Sequence, residues 1–222
     1  MFRWLAPILI TATIGLATAA APPAPPRLVP FDEAAKDASF VKFRDELKAI
    51  IARKDASALF RHLTSDVNLS FGGDYGGPAF RKMWKPYDKD TKVWAALSLI
   101  VNNGGKFVLP NAFAAPYVYS TIPEDYDAFE TLVVTNKDAV MRVAPRPNAK
   151  IVRKLDYDIL TIVQTASHPQ HEAGPNDWSE VKDARGVKGF VPDRDLRSPI
   201  DYRIIFENRK GKWRIQTFIA GD

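Results

Sequence analysis

The chain has 222 residues with 31 basic against 26 acidic side chains, a formal net charge of +5, and no cysteine. The missing thiols exclude disulfides, thiolate catalysis, thiolate metal centres and a lipid carried on a cysteine, so stability must come from burial alone. The length is sufficient for one large or two small cores, and the mixed charge and the lack of any recognisable module argue against a nucleic-acid partner.

Arg3 is the only charge before Arg27, and the intervening run is apolar first and then rich in small residues. That order is the one expected of a secretory signal peptide. Ala17 and Ala19 form an A-x-A site, so cleavage is expected after Ala19 or Ala20 and residues 1–20 are read as the signal. The alternative is an uncleaved anchor, because the run is about as long as the shortest bilayer spans; its small, threonine-containing end favours cleavage. The expected location is the periplasm or the cell exterior, with no membrane span in the mature chain.

Residues 21–37 begin with a proline-rich spacer that should stay extended. A helix is predicted from near Ser39, with Phe40, Phe43, Leu47, Ile50 and Ile51 on one face and Ser39 or Asp37 as its cap. Asp55 caps a second helix carrying Leu59, Phe60 and Leu63, and Val67 to Phe71 alternates as a short strand. The glycines around Asp74 and Tyr75 read as a tight turn, or as an anion-binding loop lacking the Lys-Ser/Thr of a Walker motif. Pro78 can start a helix with Phe80, Met83 and Trp84. Another follows Asp90 with Trp94, Leu97, Ile100 and Val101, and glycine ends it after Asn103. Residues 106–127 are aromatic-rich, interrupted by Pro110, Pro116 and Pro123, and read as irregular chain. The first unit is therefore a helical or α+β region over 38–127.

From about residue 128 the period changes from 3.6 to 2. Strand-like segments are Thr131–Val134, Val140–Val143, Ile151–Leu155, Ile159–Val163, Trp178–Val181 and Gly189–Val191. Beyond residue 199, two alternating segments flank Asn208 to Lys212 as a β-hairpin. A lone hairpin is barely stable in water, so it should pack back on the N-terminal region.

Val140-Met141-Arg142-Val143 followed by Ala144-Pro145, the run from Ala149 to Leu155, Trp178-Ser179-Glu180-Val181 and Lys188-Gly189-Phe190-Val191 together resemble the bacterial SH3 domain family. The resemblance covers about residues 130–196. It departs from the family pattern at Asp138-Ala139-Val140 and in the long loop holding His168 and His171. The resemblance implies a small closed β-barrel over 128–198, giving an α+β protein, and a role in recognition. It points to Arg142, Tyr157, Trp178 and Phe190 as candidate ligand contacts. Trp178 and Phe190 are better explained as barrel core, and Arg142 is equally explained as half of an internal salt bridge.

No catalytic constellation is evident. Ser65-Asp66 and Ser167-His168 are adjacencies without a nucleophile elbow. His168 and His171 could approach a metal only if their loop curls, so no metal or other cofactor is expected. Asp66, Asp74, Asp88 and Asp90 are the acids from which a glycan-cleaving pair could come. The resulting expectation is a non-enzymatic exported binding or scaffolding protein. It would recognise peptidoglycan or an envelope protein through the barrel. The alternative is a cell-wall hydrolase with the barrel as targeting module.

Overall fold

A computed structural model describes residues 24–164 and 176–221. The signal-peptide reading, and His168 and His171, lie outside the described residues.

The first helix, α1 (Ala38–Arg53), forms because its apolar residues recur at three- and four-residue spacing, and Phe40, Phe43, Leu47, Ile50 and Ile51 are all buried. Asp37 caps it, Oδ1 accepting from the Ser39 amide at 2.7 Å and the Phe40 amide at 3.1 Å. Asp55 does the same for α2 (Ala56–His62), accepting from the Ala58 amide at 2.9 Å. Then come β1 (Leu63–Asn68), α3 (Gly76–Trp84) and α4 (Val93–Asn102).

Residues 106–127, read as irregular, in fact contain β2 (Lys106–Leu109), β3 (Ala112–Ala115) and the short helix α5 (Tyr117–Thr121). The prolines mark ends: Pro110 lies in the β2–β3 turn and Pro116 separates β3 from α5. The C-terminal β11 (Arg203–Arg209) and β12 (Lys212–Ile219) pair with each other, and complete a five-stranded sheet in the order β1-β12-β11-β3-β2. One face of that sheet presents Phe113, Ile204, Phe206, Trp213, Ile215 and Phe218 to the helices. Phe40 sits at its centre, its ring 4.3 Å from Phe113, 4.9 Å from Trp213 and 5.4 Å from Phe206.

The second sheet holds β4 (Thr131–Val134), β5 (Lys137–Arg142), β6 (Ile151–Asp156), β7 (Ile159–Gln164), β8 (Trp178–Lys182), β9 (Lys188–Pro192) and β10 (Leu196–Arg197). Its order is β10-β4-β7-β8-β9-β5-β6, and no ladder joins β6 to β10. The protein is thus α+β with two open sheets, and the closed SH3-type barrel implied by the resemblance is not present. Strand alternation identifies strands but not closure, which needs a matching stagger around the whole ring. Here β10 is only two residues long and pairs with β4, after which the chain leaves for the other sheet. The inner face buries Leu132, Val134, Met141, Leu155, Leu160, Val181, Val191 and Leu196.

Between the sheets, Tyr117 packs with Leu28, Val133 and Ile159. Burial, with Tyr157 nearby, pushes the Tyr117 hydroxyl up to about 12. Arg197 and Asp201, both buried, form a 3.3 Å ion pair where the chain passes from one sheet to the other. Among the described residues, no helix is long and apolar enough to cross a membrane.

Gly189 lets β9 approach β5, because a Cβ there would collide with Met141 Cγ and the Arg142 carbonyl oxygen. Gly189→Ala is therefore expected to cost about 1–3 kcal/mol through overpacking. Urea unfolding measures this, and an unchanged midpoint would contradict the close approach.

Candidate functional site

The candidate site is built by the register of β8 and β9. Trp178 pairs with Pro192, Glu180 with Phe190, and Lys182 with Lys188. Directly paired residues of antiparallel strands share a face, while the alternate residues Ser179 and Val181 are buried on the inner side. The same row continues onto neighbouring strands, with Arg142 of β5 opposite Phe190 and Gln164 of β7 opposite Glu180. Phe190 thus lies between an arginine and a glutamate.

A groove of about 340 Å³ opens on this face. Trp178, Phe190 and Pro145 supply its apolar walls; Glu180, Asp177, Gln164 and Asn176 supply the polar ones. Among the described residues, its lining carries the carboxylates of Glu180 and Asp177 and no lysine or arginine. The strand beneath is anchored by a buried hydrogen bond, Ser179 Oγ donating to Asp193 Oδ1 at 2.6 Å, and by the Asp193 amide donating to the Asp177 carbonyl at 3.0 Å.

Of the sequence-derived candidates, Trp178 and Phe190 are half-buried and face this groove, not the core. Arg142 is opposite Phe190 but is not among the lining residues: its Nη1 donates to the Ala149 carbonyl at 2.7 Å and braces the β5–β6 connection. Tyr157 lies apart, in the β6–β7 turn with φ of 57°, its carbonyl accepting from the Leu28 amide at 2.8 Å. The sequence reading missed Glu180, Asp177, Gln164 and Asn176. Glu180 was legible, since it stands two residues from Trp178 on the same strand.

Two of the four acids considered for catalysis, Asp66 and Asp74, have separate partners. Asp66 is 3.2 Å from Arg209 Nη1, and Asp74 Oδ2 accepts from Ser70 Oγ at 2.7 Å. Burial opposes ionisation of Asp66, but its own amide, the Thr64 hydroxyl and Arg209 hold its carboxyl below the ordinary range. That is the wrong direction for a general acid. His62 joins two helices, with Nδ1 2.9 Å from the Ala58 carbonyl oxygen and Nε2 3.3 Å from Glu46. Among the described residues, no three His, Asp or Glu side chains gather to hold a metal.

Comparison with family models, with curated proteins and with solved structures gives no match. Together with the open sheet, this removes the basis for recognition through a bacterial SH3 barrel, whether as an envelope-binding scaffold or as the targeting module of a wall hydrolase.

Proposed function

We propose that the protein binds, without turnover, a basic side chain carried on an extended polypeptide segment, in the groove of Trp178, Phe190 and Glu180. The observation that carries this reading is the composition of the groove: two aromatic rings beside the Glu180 carboxylate, with no cation among its described lining. A cation over an aromatic face gains roughly 0.5–2 kcal/mol, more as water is excluded. Glu180 forms no ion pair within the described chain and would supply the counter-charge. The amides of Gln164 and Asn176 suit backbone groups of a ligand. The volume falls within the range of sites that enclose a side chain and its neighbours.

We also propose that this binding occurs outside the cytoplasm, on the order of charged, apolar and small residues before Pro22. Sequencing the N-terminus of the protein recovered from its native host should give Ala20 or Ala21 as first residue. Recovery of an intact Met1 would contradict it.

The binding is tested by titrating a short lysine-containing peptide while following tryptophan emission. Trp178→Phe identifies the responding ring among the five tryptophans. Glu180→Gln should weaken binding about five-fold, on the order of 1 kcal/mol. Rising salt should weaken the parent protein more than this variant. Equal affinity for the lysine peptide and its norleucine analogue would overturn the reading.

A further inference from the structure

One step along the same strands from Glu180 and Phe190, Lys182 and Lys188 stand directly opposite each other. Both are exposed, and neither forms an ion pair within the described chain. Like charges placed directly across an antiparallel pair repel and destabilise it. An acid at either position would remove the repulsion, and fold stability gives no reason for the pair. Their face is the face of the groove, because positions 178, 180 and 182 alternate to one side of β8.

The spacing is set by the strand. Glu180 and Lys182 are two residues apart on β8, so their side chains emerge about 7 Å from each other on one side of the sheet. An extended polypeptide has the same period: its residues i and i+2 also project to one side about 7 Å apart. A ligand lying along β8 with a basic side chain at Glu180 therefore brings its second neighbour over Lys182 and Lys188.

We infer that the outer face of β8 and β9 holds a second, anion-binding subsite at Lys182 and Lys188, so that the preferred ligand is an extended polypeptide with a basic and an acidic residue two positions apart. This rests on the groove reading proposed above. The charge pattern of the face (acid and rings, then paired lysines) is complementary to that ligand and to no uniformly charged one.

The test uses the full chain and three synthetic pentapeptides. The first carries lysine and glutamate two positions apart, the second replaces the glutamate with glutamine, and the third places the glutamate next to the lysine. Each is made in both sequence orders and read through Trp178 emission. The first, in its better order, should bind about five-fold more tightly than the second. The third should show no such gain, because adjacent side chains point to opposite sides. In a Lys182→Ser, Lys188→Ser double variant the first and second peptides should bind alike, at the parent's affinity for the second. Should that variant fold poorly, Lys188→Gln alone should halve the preference or better.

Equal affinity of the first and second peptides for the parent protein would overturn the second subsite while leaving the basic-side-chain groove standing. So would a preference that survives in the double variant. Absence of any response to lysine, with or without glutamate, would overturn the groove itself and the subsite with it.

Discussion

Replacing Arg153 with alanine is expected to lower the unfolding free energy by about 3–5 kcal/mol, the usual cost of stranding a buried charge. Arg153 lies on β6, an edge strand, and ties it to two turns. Its Nη2 donates to Asp158 Oδ1 at 2.7 Å, and its Nε lies 3.0 Å from Asp183 Oδ2, without hydrogen-bond alignment. Both acids are almost wholly buried. Asp158 also accepts from the Asp156 amide, and Asp183 from the amides of Arg185 and Val187. Without the guanidinium, Asp158 loses its cation and Asp183 keeps only the half-exposed Arg185, 3.2 Å away. Combining Arg153→Met with Asp158→Asn and Asp183→Asn should recover part of the loss, because the only charge then left without its partner, Arg185, is half-exposed.

The same cluster predicts acid sensitivity. Burial opposes ionisation of Asp183, but the Val187 and Arg185 amides and the Arg185 and Arg153 side chains hold its carboxyl below the ordinary range. A carboxyl lowered in the folded state contributes stability that is fully present above its unfolded value, about 4, and is lost as pH falls through the folded value. The unfolding free energy should therefore fall below about pH 4, less steeply in Asp183→Asn. Urea unfolding across this range reads it, and parallel curves would contradict it.

Phe40→Ala should cost about 3–5 kcal/mol, the range for removing a buried aromatic side chain from a packed core. Phe40 is fully buried, and its ring meets Phe43, Phe107, Phe113, Phe206 and Trp213. Those rings come from α1, from β2 and β3, and from the C-terminal hairpin, so one truncation loosens elements far apart in sequence. Phe40→Leu keeps most of the volume and should cost less than about 1.5 kcal/mol. A loss below about 1 kcal/mol for the alanine variant would mean that these elements do not meet at Phe40.

How much of this was legible follows from the reach of each signal. The α1 helix was readable because its spacing and its cap, Asp37, lie within a few residues of each other. The strands of the second sheet were readable for the same local reason. Closure was not: whether β6 meets β10 depends on stagger accumulated over seven strands, and the family resemblance supplied an answer that the strand order contradicts. β2 and β3 were missed because Pro110 and Pro116, just beyond their ends, read as breaks, and because β11, the second partner of β3, comes some ninety residues later. In the groove, Trp178 and Phe190 were legible as aromatic residues on strands, but the same alternation fits a core. Only the register, with Glu180 beside Phe190 and Ser179 buried, assigns them outward. Tyr157 was pointed to by the family resemblance alone, and it lies in the β6–β7 turn, apart from the groove.

The most direct test of the groove is to follow backbone amide resonances as a lysine-containing pentapeptide is added. Shifts gathered at Gln164, Asn176, Trp178, Glu180 and Phe190, and lost in Glu180→Gln, are the predicted result. Shifts centred on the five-stranded sheet, or the same shifts persisting in Glu180→Gln, would contradict it.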